Sequence, residues 1–411
     1  MIASRADCQA LDAADPLAFV RSRFSLPEGV IYLDGNSLGP LPVATPARIE
    51  QVMREAWGQG LIRSWNTAGW IDMPGRLGDK IARLIGADDG EVAVTDSTSV
   101  NLFKLASAAV KLRPGRKVIL TEPGNFPTDL YMLQGLSRQL DGAIEVRAVP
   151  RDQIAAALND DVAVLVLTHV HYKSGAVFDM AGLTAQAQAV GALALWDLSH
   201  STGALEVDLN AANADLAIGC GYKYLNGGPG APAFAYVARR HQANLQQPLS
   251  GWMGHAAPFA FVDDYQPADG ISRVLCGTPS VLAMSALECG LATLDGVEMA
   301  QIRAKSISLS SLFLDLVEAR LPGQFQLASP RDPARRGSQI SLMHDGGYAI
   351  MAALIEAGVI GDFRAPDHLR FGFTPLYLRH VDVFDAVGIL VQIMESGRWR
   401  EPRFAVRQAV T

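Results

Sequence analysis

Residues 162–170 read VAVLVLTHV. Six apolar residues stand in a row here with no polar residue between them, so the run is not a strand with one wet face, and it is too short for a buried helix. It reads as a strand covered on both faces. Runs of the same kind lie on either side: EVAVTD (91–96), KVILTE (117–122), IEVRAVP (144–150), ALALWDLS (192–199) and DLAIGC (215–220). A helical pattern or a loop follows each. This alternation predicts an α/β fold, a large domain with a mostly parallel seven-stranded-type sheet flanked by helices. After about residue 280 the pattern changes to long amphipathic helices, SVLAMSALECGLATL and QIRAKSISLSSLFLDLVEARL. Short strand-like pieces, SQISLM and HLRFGF, and a last helix, VDVFDAVGILVQIME, complete the chain. VIYLDGNSLGPLP (30–42) is a strand-and-turn piece outside the central alternation. The expected organisation is a large domain over 46–282 and a smaller α+β domain made of 1–45 plus 283–411.

The 411 residues carry a net charge of −7, which offers nothing to nucleic acid or an anionic membrane. The basic stretch RWREPRFAVRQ (398–408) reads as a solvated tail or a dimer-surface patch. Four cysteines, Cys8, Cys220, Cys276 and Cys289, fall at irregular spacings without a CxxC, so neither a zinc site nor a disulfide framework is expected. The first residues place acids where a signal peptide needs an apolar run, and no stretch approaches a membrane span. A reducing cytoplasm is the expected setting.

In a parallel sheet, ligands bind where the strands end. Five strand ends carry chemistry. EVAVTD leads into Ser97-Thr98-Ser99 at a helix start, either capping residues or a cradle for an anion on free first-turn N–H groups. KVILTE leads into Phe126-Pro127, a turn before Thr128 and Asp129, either of which could cap the next helix. Phe126 is either core or a stacking face for a flat ligand. Thr168, His169 and His171 end the third run; two histidines without a nearby carboxylate are weak evidence for a metal, and none is expected. Asp197 and His200 end the fourth. A buried acid there is either a helix cap or the partner of a cationic ring nitrogen. The fifth run opens into GCGYKYLNGGPG (219–230), with Lys223 between Tyr222 and Tyr224. A desolvated lysine amine can bond an aldehyde, an acid can keep a pyridine nitrogen protonated, an aromatic can stack, and hydroxyls with helix-start N–H groups can hold a phosphate. That is the set pyridoxal 5'-phosphate needs. No Gly-rich dinucleotide or P-loop motif competes with it.

These stretches resemble the kynureninases, fold-type I pyridoxal-phosphate enzymes of the aminotransferase class V group. The resemblance runs over nearly the whole chain. It rests on YLDGNSLGP (32–40), GLIRSWN (60–66), VTDSTSVNLFK (94–104), NFPTDLY (125–131), LTHVHYKSG (167–175), WDLSH (196–200), the lysine loop, LSGWMGH (249–255), LCGTPS (275–280) and RFGFTPLY (370–377). WDLSH and the lysine loop are shared in looser form with cysteine desulfurases; NFPTDLY and RFGFTPLY are more specific. The resemblance implies that Lys223 bonds the cofactor, that Asp197 pairs with its ring nitrogen with His200 close by, and that Phe126 stacks on the ring. Ser97, Thr98, Thr128 and Tyr222 would place the phosphate and cofactor, Pro127 and Asp129 would bind the cofactor from the same turn, and Thr168 would lie near the ring. Trp252 and Thr278 would reach the phosphate from a neighbouring subunit, making the active unit a homodimer. Arg370 would clamp a substrate carboxylate with its fork. Lys223, Tyr222 and Asp197 would be catalytic. The implied reaction is hydrolysis of the Cβ–Cγ bond of L-kynurenine to anthranilate and L-alanine in tryptophan catabolism, with kynurenine favoured over its 3-hydroxy form. A desulfurase or other class V lyase would need a catalytic cysteine on a loop of the small domain, yet no cysteine follows Cys289. A non-catalytic protein that binds the cofactor would be expected to carry a basic or partner-binding domain, and none is visible.

Overall fold

The computed structural model describes residues 4–407; residues 1–3 and 408–411, the ends of the two terminal stretches read above, lie outside the described residues. The six apolar runs form strands β1 (Val92–Val94), β2 (Val118–Thr121), β3 (Glu145–Ala148), β4 (Val162–Thr168), β5 (Leu193–Asp197) and β6 (Leu216–Gly219). A further strand, β7 (Phe234–Val237), completes a seven-stranded sheet in the order β1-β7-β6-β5-β4-β2-β3. Pairings among β3, β2, β4, β5 and β6 are parallel, and β7 runs antiparallel to both its neighbours. The sequence reading passed over β7 because no helical pattern follows FAYV, so the strand–helix alternation gives it no signal.

Consecutive residues of β4 face opposite sides, as strand geometry requires. Val164 and Val166 pack with Leu102 and Leu105 of α1 (Thr98–Lys111) and with Leu133 and Leu136 of α2 (Pro127–Gln139). Leu165 and Leu167 pack on the other side with Met180 and Ala187 of α3 (Met180–Ala189). Each such side chain fully removed from water contributes about 1.5–3 kcal/mol before chain entropy is subtracted. This double burial explains why the run lacks alternation. β3, by contrast, is an edge strand whose residues are exposed or half-buried. Trp196 on β5 is buried, and its Nε1 donates to Thr184 Oγ1 at 3.0 Å. The strand that ends in Asp197 is thereby fixed along its length.

The C-terminal part builds a second, antiparallel sheet from β8 (Gln326–Leu327), β9 (Gln339–Met343), β10 (Asp362–Arg364) and β11 (His368–Gly372), in the order β10-β11-β9-β8. Before and around it lie α4 (Val281–Ala292), α5 (Met299–Arg320), α6 (Gly347–Glu356) and α7 (His380–Ser396). The first residues join this part. Ile31–Tyr32 pairs in parallel with Val359–Ile360, and Asp12 Oδ1 accepts from the His380 backbone N–H at 2.6 Å. Two glycines let other segments close on the lysine loop. A Cβ at Gly290 of α4 would overlap the Leu225 carbonyl oxygen, and one at Gly39 would overlap the Asn226 side chain. Gly39 also donates its N–H to the Tyr222 carbonyl at 2.8 Å. The turn after β6 is therefore held by two segments far apart in sequence.

Candidate active site

The ends of β4, β5 and β6 open into a cavity of about 610 Å³. Its lining contains Ser97, Thr98, Phe126, Thr128, Asp129, Thr168, Asp197, His200, Tyr222, Lys223 and Thr278, eleven of the fourteen residues expected of the site. Pro127, Trp252 and Arg370 are outside it. Pro127 opens α2, where its missing N–H costs nothing.

Lys223 is buried, and its Nζ lies 2.9 Å from His200 Nε2. Burial first, then the positive charge of Lys223, holds the His200 imidazole well below the ordinary histidine range. A neutral ring accepting at Nε2 carries its proton on Nδ1, and that buried atom has no partner among the described residues. The rings of Phe126 and Tyr222 stand 5.9 and 5.8 Å from Lys223 Nζ. Phe126 caps no hydrogen bond at the start of α2; it is 39% exposed, which makes it a wall of the cavity rather than core. Tyr172 packs edge-on against it at 5.3 Å. Tyr222 lies on the cavity, whereas Tyr224 is buried away from the lining in the field of Arg370 and Asp34.

Two carboxyls meet at the floor. Asp197 ends β5 in register with Thr168 on β4, and its Oδ1 accepts the Ser199 N–H at 2.8 Å. Asp129, in the first turn of α2, is hydrogen-bonded to it. Burial, reinforced by the charge of Asp197, pushes the Asp129 carboxyl well above the carboxylate range. Burial therefore favours a proton on Asp129 where the two carboxyls meet. Thr168 Oγ1 lies 3.4 Å from Asp129 Oδ2 and donates to Asn125 Oδ1. The sequence offered Asp129 as a cap; its pairing with Asp197 depends on β2 and β5 ending at the same edge, which no local signal carries.

Ser97 does cap α1, accepting the Val100 N–H at 3.3 Å, and it also lines the cavity. Lys104, which the sequence reading missed, is fully buried. Its Nζ bridges Asp96 Oδ2 and the Val274 carbonyl, each at 2.6 Å. It ties the helix start to the segment that carries Thr278. His169 and His171 do not converge: the first bonds Ser201 Oγ at 2.9 Å, the second the Gly124 carbonyl at 2.9 Å.

Thr278 lines the cavity of its own chain, and Trp252 lies off it, edge-on to Trp65 and to Phe259, both at 5.7 Å. Arg370 does not present an open fork. Its Nε donates to Asp362 Oδ1 at 2.6 Å and its Nη2 to Asp362 Oδ2, while Nη1 donates to the Tyr172 carbonyl behind the cavity wall. The cross-strand register seats Asp362 directly opposite Arg370, which closes the fork.

The comparisons with known proteins come down on one family. Residues 302–390 match the model of the kynureninase C-terminal domain. The chain is 54% identical over 415 residues to a protein named kynureninase from Burkholderia pseudomallei (strain 1106a), covering 99% of this chain and 100% of that one. It is 52% identical over 414 residues, with the same coverage, to a kynureninase of Pseudomonas fluorescens. Among solved structures, the apo cysteine desulfurase of Thermococcus onnurineus NA1 superposes with a TM-score of 0.78 at 18% identity, over 92% of this chain and 98% of that one. The last likeness carries the fold alone; with the full-length identity beside it, the chain belongs to the kynureninase family.

Proposed function

We propose that this protein hydrolyses L-kynurenine to anthranilate and L-alanine with pyridoxal 5'-phosphate as cofactor. The observation that carries the reading is the buried Lys223 amine in one cavity with the Asp129–Asp197 pair and the hydroxyls at the start of α1. The residues present fit the cofactor. A protonated pyridine nitrogen answers the charge of Asp197, phosphate oxygens answer Ser97, Thr98, Thr128 and the free N–H groups of α1, and the exposed face of Phe126 answers a flat ring. Bound there, the cofactor supplies an electron sink for the carbon beside the substrate amine.

The chain's own residues do the rest. Lys223 Nζ takes the proton from the substrate Cα and returns it at the end. Neutral His200 holds the freed amine at hydrogen-bonding distance without adding a second charge. Asp197, with Asp129 as its donor, fixes positive charge at the ring edge. Tyr222 delivers a proton at Cβ. Burial raises its phenol above the ordinary range, so it remains a proton donor throughout neutral pH. Tyr222→Phe is expected to lower kcat about 10²-fold, the size of one general acid, with cofactor affinity little changed. A variant that loses cofactor affinity instead and keeps kcat would reduce Tyr222 to a binding residue.

The active unit is proposed to be a homodimer, with residues 46–282 as the cofactor domain. Trp57, Leu61, Ile62, Phe259, Phe261 and Val262 are exposed, and an edge-to-face chain runs from Trp65 through Trp252 and Phe259 to Phe261. An apolar surface of this kind suits a second copy. Trp252, off the cavity of its own chain, and Thr278, on it, would then serve the partner's site. A cytoplasmic setting accords with four free cysteines. A desulfurase reading is disfavoured because Cys289 is buried in α4, with its thiol pushed up by burial, and Cys220 is likewise buried. The test is direct: purified protein with pyridoxal phosphate and L-kynurenine will release fluorescent anthranilate, faster than 3-hydroxykynurenine is cleaved. No anthranilate at saturating substrate and cofactor would refute the activity.

A further inference from the structure

An acid opens the α1 cradle, at the end of the cavity that favours an anion. Asp96 stands between β1 and the cap residue Ser97, and it lines the cavity together with Ser97, Thr98 and Thr278. Its φ is +47°, a left-handed conformation that aspartate accepts more readily than most residues. The backbone is fixed there. The Asp96 carbonyl accepts the Ala233 N–H at 2.9 Å, and the Thr95 N–H donates to the Ala233 carbonyl at 2.9 Å. A carboxylate so placed puts negative charge beside the hydroxyls and free first-turn N–H groups of α1, where it opposes a bound phosphate.

That charge is answered from inside the protein. Asp96 Oδ2 accepts from Lys104 Nζ at 2.6 Å and from Thr95 Oγ1 at 2.9 Å. Lys104 lies eight residues on, about two turns along α1. Its side chain has no exposure to water, while that of Asp96 is 27% exposed toward the cavity. An amine in that position is costly unless it is paired. Burial lowers the proton affinity of Lys104, and the charge of Asp96 raises it. The second bond of the amine, to the Val274 carbonyl at 2.6 Å, holds the stretch that runs on to Thr278. Lys104 therefore stands behind the place where two cavity walls meet, residues 97–99 on one side and 277–280 on the other.

We propose that Lys104 is a positioning residue of the cofactor's phosphate subsite: by pairing with Asp96 it cancels a carboxylate that would otherwise oppose the phosphate. The inference rests on the reading that the start of α1 holds the phosphate. The amine acts through Asp96 and not by touching the ligand, and so sets the charge that the cradle presents. Its bond to Val274 gives it a second, mechanical part, and the two separate by experiment. Removing the amine ends both. Removing the acid along with it leaves only the mechanical loss.

The test titrates the full-length protein, freed of cofactor, with pyridoxal 5'-phosphate and with pyridoxal, which lacks the phosphate, and follows visible absorption. The variants are K104M, D96N and D96N/K104M. The parent should prefer the phosphorylated form. K104M should weaken pyridoxal 5'-phosphate about tenfold or more and leave pyridoxal within about twofold, the scale of one uncompensated charge beside an anion. D96N/K104M should recover most of that loss, since neither charge remains. D96N alone should bind pyridoxal 5'-phosphate no more weakly than the parent, because asparagine keeps the left-handed turn and its side-chain carbonyl still accepts from Lys104. Equal affinity of the parent for both ligands overturns the cradle reading and the proposal with it. A parent that prefers the phosphate, with K104M unchanged, overturns the proposal and leaves the cradle standing. Equal losses of both ligands in K104M, or a double variant as weak as K104M, reduce Lys104 to a structural tie and also overturn it. D96N alters a partly exposed side chain and leaves the amine in place, so the decision does not hang on whether K104M folds. A loss of about tenfold in D96N, for pyridoxal 5'-phosphate and not for pyridoxal, would make the carboxylate a helper of phosphate binding and overturn the proposal.

Discussion

Lys223→Ala is expected to lower kcat/KM for L-kynurenine by at least about 10³-fold, the upper range for loss of a general base, and to end covalent attachment of the cofactor. The amine is buried at the cavity floor, 2.9 Å from a neutral imidazole and between two aromatic faces. No other lysine lines this cavity. Removing the amine removes both the bond to the cofactor aldehyde and the base over the substrate Cα. Lys223→Arg separates the two roles from size and charge: a guanidinium keeps the positive charge but does not give up its proton, so this variant should be as inactive as the alanine. Borohydride treatment followed by mass spectrometry reads the attachment. The wild-type protein should retain the mass of the reduced cofactor, and neither variant should. A variant that still carried that mass would move the covalent role to another lysine. One that lost the mass but kept turnover would leave Lys223 an anchor without a part in proton transfer.

The fold was legible where burial acts on every residue of a run. VAVLVL has no alternation because helices cover both faces of β4, and the same pressure wrote the other central strands. It was illegible where a strand is made by its neighbours. FAYV becomes a strand only because β1 and β6 present edges on either side, and Asp362–Arg364 only because β11 pairs with it. The site follows the same division. Residues at strand ends, Asp197 and Lys223 above all, were readable because parallel topology collects them. Asp129 against Asp197, Lys104 between two loops, and Asp362 in the fork of Arg370 join segments far apart in sequence. Lys104 closes the motif VTDSTSVNLFK, but nothing in that stretch tells its two partners. Arg370 was singled out by its place in RFGFTPLY, as the carboxylate clamp the family resemblance implies, and its partner could not be known without the register of β10 on β11.

Asp197→Asn is the sharper test of the electrostatics, because it changes charge and little else. The amide is close to the carboxylate in size and can still accept the Ser199 N–H, so β5 and the turn after it should form as before. Circular dichroism and the melting temperature should stay near those of the parent. Turnover should fall about 10²–10³-fold, the usual cost of removing one preorganised charge from a site that excludes water. The side chain's neighbour adds a second reading. Burial and the charge of Asp197 raise the proton affinity of Asp129. Without that charge one cause of its raised proton affinity is gone, and Asp129 becomes the only carboxyl left to meet a ring nitrogen. If it takes over, Asp197→Asn will retain a residual rate that rises with pH as Asp129 ionises, and the double variant with Asp129→Asn will lose it. Asp129→Asn alone keeps the charge of Asp197 and should cost less, about tenfold, the scale of one charge-assisted hydrogen bond. The reverse order, with Asp129→Asn the more damaging and Asp197→Asn near normal, would transfer the electrostatic role from the end of β5 to the first turn of α2.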